Sequence, residues 1–575
     1  MKTKRSGLGV GFTKQITRAL QFDIDLKSED KEGSRLFGIG MNCPSPVAPG
    51  CGTTTGINAG WATLLVPEPV NSRHSQIEAR VSYALEKLRV HAGYYGSFYR
   101  NTYATLNPAV PGRLNNPIGS LLPLNTGLQG ILNQPVALAP DNQAHQLDLS
   151  GSYDFTGTTR GTFKLGYAKA TQRDDFAGAG LGGAPAGVAN LGGEVNTTFT
   201  RFGLTSRPMP KLSLLADLRY EHKDDQTPIH LYNIEATSTY TNRNLSSRKT
   251  LGKLQAGWQF SSDYRGTLGA NFETIDRGVF TATSAVSGIS ALRQETEERG
   301  VSAELRRRMS EDFSGAISVS RSRRDGSNWL NNNSGLGVTE VADPAAVFLP
   351  TAIFMPSLAD RQRDKVKLFS DWQPSEKLTL QFSAEAGNDK YSSPSVYGVR
   401  NTRMNQFSAD WAYALSYAWN LSGYASHGVQ SFDQARPAGS VMAFENTNTG
   451  AGFGFTGKVN AKLDVGGSVS YVDDKSVYAQ TLDVLAGNDS VALLAATGGL
   501  PDVVFRQTAL KLFGKYSLSK RSALRLDFVH QRTSLNDWAW GYNGVPFAYS
   551  DGTTVKQLPH QSAAIISVTY ICQLP

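Results

Sequence analysis

Long stretches of the chain alternate hydrophobic and polar residues with a period of two, which is the spacing of a β-strand. The clearest example runs from Val503 to Trp540 and is divided by a turn at Ser519, Lys520 and Arg521. Before that turn, a mainly apolar register alternates with a more polar one: Leu510, Leu512, Gly514, Tyr516 and Leu518 against Ala509, Lys511, Phe513, Lys515 and Ser517. An apolar face toward lipid and a polar face toward water is the pattern of a transmembrane β-barrel wall.

The same alternation returns along most of the chain, where short turns alternate with longer loops. The first hairpin is predicted around Thr13, Lys14 and Gln15, and the last strand at Ala564 to Cys572. Further short turns are predicted at 156–158, 207–210, 261–263, 309–311, 373–376, 413–417 and 460–462. The longer loops are predicted at 43–74, 104–143, 175–194, 225–246, 279–295, 328–362, 391–403, 433–447, 479–502 and 538–559. Outer-membrane barrels place tight turns in the periplasm and long loops outside, so this order also orients the chain.

The apolar registers lack lysine and arginine in their middles, as in the run of Leu254, Ala256, Trp258 and Phe260. A lysine or arginine that faces lipid at mid-bilayer costs about 2–4 kcal/mol. A strand of a soluble β-sandwich also has one polar face. Repetition over about ten hairpins nevertheless favours an all-β, large antiparallel transmembrane β-barrel with about 21 visible strands.

Composition agrees with this class. The chain has 575 residues and no run of about 18 apolar residues that could form a membrane helix. Its 57 basic and 49 acidic residues give a net charge of +8 and are spread along the chain, so nucleic-acid binding is not indicated. A modest positive excess suits anionic lipid headgroups or an acidic partner. We expect residues 1–575 to form a single barrel domain in the bacterial outer membrane.

The amino terminus predicts an incomplete copy of this domain. It has a basic start, Met1 to Ser6, but no apolar segment or cleavage site of a signal peptide. A barrel must be exported, and single-chain bacterial barrels have even strand numbers. An odd count of strands therefore predicts that amino-terminal strands and a signal peptide are missing. A cytoplasmic protein is the alternative, and the strand pattern argues against it.

Residues that could carry chemistry are few. Cys43 and Cys51 flank a proline-rich stretch, which a disulfide could close in an oxidising compartment; two free thiols are the alternative. The chain has no C-x-x-C pair, no histidines at metal-binding spacing and no G-x-S-x-G elbow. The G-x-G-x-x-G matches at 178–183 and 452–457 lack the strand-to-helix context of a nucleotide site. The sequence therefore predicts no catalytic residue, no metal or cofactor site, and no enzyme.

Several outgoing strands end in charged residues, at 173–175, 223–225, 323–326, 388–390, 473–475 and 536–538. With the orientation given above, these residues form a rim at the extracellular end. We interpret the rim as solvent-exposed charged residues that end each strand. Binding of divalent cations that bridge lipopolysaccharide, or contact with a partner, is the alternative.

The carboxyl-terminal part resembles a known family. The segments LKLFGKYSLSKRSALRLDF (510–528), NDWAW (536–540) and FAYSDGTTV (547–555) look like the closing hairpin and loop of the decahaem-associated outer-membrane barrels, the MtrB/PioB family. The Val66 to Val70 stretch agrees more loosely, and the resemblance extends over essentially the whole chain. It departs from the family in lacking an amino-terminal C-x-x-C pair and a terminal aromatic residue.

This resemblance implies a wide barrel that sheathes a periplasmic multihaem c-type cytochrome and so supports electron transfer across the outer membrane. The haem would be carried by the partner, no cofactor would be bound by this chain, and an extracellular cytochrome is a further candidate partner. Lumen-facing residues would then meet the cytochrome, and the candidates are Lys511, Lys515, Arg525, Asp527 and Gln531. The alternative is that these residues form a solvated wall that makes no specific contact with a partner. The competing function is a general diffusion porin or an uptake channel.

Overall fold

The computed structural model describes residues 2–42, 61–109, 113–115, 121–123, 132–235, 238–242, 244–278, 291–333, 337–340, 355–392, 398–435, 440–482, 502–537, 541–542, 545–548, 554–555 and 559–572. Its main element is an antiparallel sheet of 21 strands, which agrees with the predicted count. Among the described residues, no helix is long and apolar enough to cross a membrane. The predicted all-β, antiparallel architecture is therefore confirmed.

The strands of the sheet follow one another in chain order. They are β1 Thr3–Gln15, β2 Leu20–Asn42, β3 Trp61–Ala84, β4 Leu88–Asn101, β5 Asn142–Thr156, β6 Thr159–Gln172, β7 Gly193–Met209, β8 Leu212–Asp225, β9 Ser247–Gln259, β10 Tyr264–Asp276, β11 Glu295–Arg308, β12 Phe313–Gly326, β13 Asp360–Ser375, β14 Leu378–Ser392, β15 Gly398–Ser416, β16 Trp419–Ala435, β17 Ser440–Asn460, β18 Leu463–Leu482, β19 Val503–Ser519, β20 Ser522–Asn536 and β21 His560–Cys572. Each strand pairs with the strands before and after it; in the described chain, β1 pairs only with β2, and β21 only with β20.

Tight turns and long connections lie at opposite ends of the sheet, which we call the tight-turn end and the long-loop end. All short additional strands belong to long connections: Thr105–Leu106 with Val136–Ala137, Arg113–Asn115 with Leu121–Pro123, Leu231–Glu235 with Ser238–Thr241, Ala291–Arg293 with Trp329–Asn333 and Gly337–Glu340, and Gly541–Tyr542 with Val545–Ala548 and Thr554–Val555. The alternation of short and long connections that was predicted from the sequence is therefore present.

One face of the sheet carries a continuous band of exposed apolar side chains, which we call the apolar belt. Its members include Val10, Leu26, Val81, Leu149, Leu165, Phe202, Leu218, Leu254, Leu268, Val301, Ile317, Leu368, Phe407, Phe453, Leu512, Leu526 and Val568. The belt is continuous because the strand register sets apolar residues beside each other, as where Ala256 lies between Leu214 and Leu268. Leu254 is 62% exposed and Leu268 is 68% exposed. Apolar surface of this extent indicates contact with lipid.

Two predicted boundaries are wrong in an informative way. The first hairpin turns after Gln15 rather than at it, because Gln15 still pairs with Gln21. The loop predicted at 43–74 is strand from Trp61 onward, although Pro67 and Pro69 lie within it. At this height β2 and β3 pair only with each other in the described sheet, because β1 ends opposite Gly33 and β4 ends opposite Ser72. A proline is tolerated there because the edge of a strand needs no N–H donor on its outer side.

Aromatic rings lie against glycines of the neighbouring strand at several places along the sheet. In three of these ring-on-glycine pairs, Phe272 covers Gly252, Trp411 covers Gly423 and Phe513 covers Gly466, and in each the two residues are direct cross-strand partners. Each ring occupies the space where a Cβ atom would stand on the facing residue. A residue with a side chain would clash with the ring, so each ring requires a glycine as its cross-strand partner.

Candidate functional site: the inner wall

The inner wall is the register of the sheet that faces away from the apolar belt. On β14 to β19 this register is polar and built largely from small residues. Members that line a shallow depression there are Thr379, Gln381, Asp410, Ser422, Gly452, Gly454, Ser468, Ser470 and Lys511. The ring of Tyr424, which also lines the depression, covers Gly452. The serines and Gly454 are small, so another protein could approach the surface beside this ring closely.

All five lumen-facing candidates lie on the inner wall of the adjacent strands β19 and β20. Lys515 is the cross-strand partner of Arg525, Phe513 is the partner of Asp527, and Lys511, Ala509 and Gln531 continue the same face. The structure therefore brings these residues together on one surface, as the alternation predicted. That they touch a cytochrome stays a prediction.

The candidates differ in how their charges are compensated. Arg525 donates to both carboxylate oxygens of Asp527, from Nη2 to Oδ1 at 2.7 Å and from Nε to Oδ2 at 2.9 Å and to Oδ1 at 3.0 Å. The guanidinium also lies 4.4 Å from the ring centroid of Phe513. Arg525 and Asp527 thus neutralise each other, whereas Lys511 and Lys515 have no ionic partner in the described chain.

A second group of charges lies on the inner wall near the long-loop end. We call it the inner charge cluster; it consists of Glu298, Arg361, Arg363 and Asp389. Arg361 contacts Glu298 at 2.5 Å and Asp389 at 3.5 Å, and Arg363 donates to both oxygens of Asp389 at 2.7 and 2.6 Å. The side chains of Arg361 and Glu298 are each only 13% exposed. Buried charges of this kind require their partners.

A segment of the connection between β12 and β13 is held beside this cluster. Arg324 donates from Nε to the carbonyl of Ala359 at 3.0 Å and also to the carbonyl of Pro356. Arg293 donates from Nη1 to the carbonyl of Leu358 at 3.0 Å and to Asp360 at 2.6 Å. Leu358 and Ala359 are consequently buried. Two arginines thus fix the path of the chain where it re-enters β13.

The sequence did not reveal the inner charge cluster. We interpreted the strand ends 323–326 and 388–390 as a solvated rim. That interpretation fits Arg323, which pairs with Asp325 and has a side chain that is 77% exposed. It is wrong for Asp389, which is buried on the inner register. The alternation of Arg361 and Arg363 with polar neighbours marks their common face, but the sequence does not show which strand supplies the opposite charge.

The remaining candidates concern cysteines and metals. Cys43 and Cys51 lie outside the described residues, so their disulfide stays a prediction. Cys572 is an exposed free thiol at the end of β21. Within the described ranges, no group of three or more histidine, cysteine, aspartate or glutamate side chains is arranged to hold a metal ion.

Comparison with known proteins gives one family and one curated relative. Residues 1–574 match the family described as outer membrane beta-barrel porin, MtrB/PioB. The outer membrane protein MtrB of Shewanella baltica (strain OS185) is 21% identical over 547 residues, which are 94% of this chain and 70% of that protein.

Solved structures with a similar fold include two outer-membrane proteins of low sequence identity. The siderophore receptor PirA of Acinetobacter baumannii has a TM-score of 0.53 at 10% identity and covers 99% of this chain and 77% of its own. The FrpB iron transporter of Neisseria meningitidis (F3-3 variant) has a TM-score of 0.52 at 10% identity, with 99% and 80% covered. At this identity the likeness concerns the fold alone.

Proposed function

Because the chain belongs to the MtrB/PioB family of outer-membrane β-barrel porins, we propose that it sheathes a periplasmic multihaem c-type cytochrome. It would thereby support electron transfer across the outer membrane. The observation that carries this proposal is the inner wall, which combines small polar residues with lysines that form no ion pair with any described residue, as at Lys511 and Lys515. Such a wall suits the polar surface of a folded protein more than it suits a hydrophobic ligand.

The dimensions support the same function. The hydrocarbon core is about 30 Å thick, so electrons that cross it need a chain of cofactors rather than one tunnelling step. Barrels of about 22 strands have a lumen wide enough for folded protein, and this sheet has 21 strands. The chain would supply insulation and position, while the partner would supply every haem. In this proposal the barrel performs no catalysis and binds no cofactor itself.

A diffusion porin or uptake channel is the second candidate. The observation in its favour is the description of the family as a porin, together with the polar inner wall. The two functions differ in what occupies the lumen, because a resident cytochrome fills the space through which solutes would pass.

We expect the affinity-tagged barrel, extracted from the outer membrane of its own host with mild detergent, to carry a haem-containing protein in about equimolar amount. Haem staining of a denaturing gel and the reduced c-type absorbance bands would measure this. An unrelated outer-membrane barrel with the same tag is the control. A preparation without haem that also conducts small solutes through liposome membranes would contradict the proposal and support the porin.

A further inference from the structure

Five cations gather at the tight-turn end of β17 to β20, and we call them the basic patch: Lys458, Lys462, Lys515, Lys520 and Arg521. Lys458 and Lys515 lie on the inner wall, where each is a cross-strand partner of Asp464. The other three belong to the turns that join β17 to β18 and β19 to β20. Because neighbouring strands are about 4.8 Å apart, the four strands bring these charges within about 15 Å of one another.

The basic patch lacks the compensation that some other lysines of the inner wall have. Elsewhere on this wall, Lys249 contacts Glu273 at 2.8 Å and Lys365 contacts Glu385 at 2.8 Å. No member of the basic patch forms an ion pair within the described parts of the chain. Asp464 is the one carboxylate on the inner register between them, and Asp527 is already bound to Arg525.

The position of the patch indicates what it faces. Lys458, Lys462, Lys520 and Arg521 are exposed, and Lys515 is half-buried. Lys458 and Lys515 alternate with Val459 and Tyr516, so they lie on the register opposite the apolar belt and point away from lipid. With tight turns in the periplasm, the patch lines the periplasmic mouth of the lumen.

We propose that the basic patch is the docking surface for an acidic face of the periplasmic cytochrome. This inference rests on the proposed function and adds where the partner enters and what charge its surface carries. Exposed haem propionates are carboxylates and would add to the negative charge of such a face. Clustered charges of one sign raise the rate of encounter with an oppositely charged partner and fix its orientation. The partner would thus be oriented by β17 to β20 rather than by the whole rim.

The test uses charge reversal with a matched control. The patch variant combines Lys458→Glu, Lys462→Glu and Lys520→Glu in the full-length barrel. The control variant combines Lys87→Glu, Lys211→Glu and Lys377→Glu, which are exposed lysines in other tight turns. The control turns share one backbone contact with the turn at Lys462: the carbonyls of Lys87, Lys211 and Lys377 each accept a hydrogen bond from an N–H at the end of the next strand but one, as the carbonyl of Lys462 does. Both variants therefore change the net charge equally at the same end of the barrel.

The probe is the cytochrome that co-purifies with the wild-type barrel, released from it with salt and then added back at low ionic strength. We expect the patch variant to bind it about 10- to 100-fold more weakly, and the control variant to bind within about threefold of the wild type. The difference should nearly vanish at 1 M salt, where the Debye length is about 3 Å. Equal weakening of both variants, or wild-type binding by the patch variant, would overturn the proposal.

Two further variants separate docking from misfolding and from lipid binding. Asp464→Asn removes the carboxylate between Lys458 and Lys515 and should tighten binding about two- to threefold, which a folding defect would not produce. Lys458→Gln with Lys515→Gln neutralises only the two lysines that point away from lipid, and it should weaken binding. No change in this double variant would mean that the turn cations serve anionic lipid headgroups, and the proposal would fail. A wild-type barrel that captures no cytochrome would instead remove the proposed function itself.

Discussion

Exchanging Lys253 and Leu254 should lower the free energy of unfolding of the barrel in lipid bilayers by about 2–4 kcal/mol. The double variant, Lys253→Leu with Leu254→Lys, keeps composition and net charge and inverts only the two faces of β9 at this height. Leu254 is 62% exposed within the apolar belt, so a lysine there would face hydrocarbon. Urea titration of the refolded barrel in bilayers, monitored by tryptophan fluorescence, would measure the decrease in the free energy of unfolding.

The single variant Lys253→Leu is the control for this exchange. Lys253 lies on the inner wall opposite Asp217, whose carboxylate is already paired with Arg201 and Arg219. Its removal should therefore change the free energy of unfolding by less than about 1 kcal/mol. A double variant as stable as this single variant would show that the belt at Leu254 does not face lipid, and it would contradict the assignment of the two faces.

Replacing Arg361 by methionine should destabilise the barrel by about 3 kcal/mol. The change leaves Glu298 without its ionic partner and leaves Asp389 with Arg363 alone. A buried carboxylate that has lost its partner retains its desolvation cost without the compensating attraction. The same bilayer unfolding experiment measures this loss, and Arg361→Lys should recover part of it because the positive charge is restored.

Arg299→Met is the matched control, since it removes an arginine from the outer face of β11, the strand that carries Glu298 on its inner face. Arg299 contacts Glu297 at 2.6 Å, but its side chain is 76% exposed. An exposed pair of this kind contributes about 0–1 kcal/mol. Equal effects of the two substitutions would show that solvent screens the inner charge cluster as it screens the exposed pair, and that the cluster gains no extra contribution to stability from its position.

The sequence predicted the wall of the barrel well, because lipid constrains every strand in the same way. A residue between two apolar positions must face the lumen, so the inward position of Lys511, Lys515 and Arg525 could be inferred from alternation alone. The same logic gave the number of strands and the ends at which tight turns and long loops lie.

The parts that were missed depend on which strands are neighbours. The stretch that contains Pro67 and Pro69 was predicted as a loop. It can be a strand because β1 and β4 both end before this height, so the prolines need not donate a hydrogen bond to a further strand. The inner charge cluster joins Glu298 to Arg361, which are 63 positions apart, and their approach depends on the register of two successive strand pairings, β11 with β12 and β12 with β13. The alternation of residues within one strand does not show how that strand is aligned with its neighbours.

The ring-on-glycine pairs bear on how such a wall reaches its register. A slip of one residue between two strands would turn apolar side chains away from lipid, but a slip of two would leave every face unchanged. Hydrophobicity therefore does not oppose a two-residue error. In the pair of β9 and β10, that error would move Phe272 from Gly252 to Thr250 or Leu254, where a side chain occupies the space of the ring. The glycines thus mark the correct alignment of successive strands during assembly.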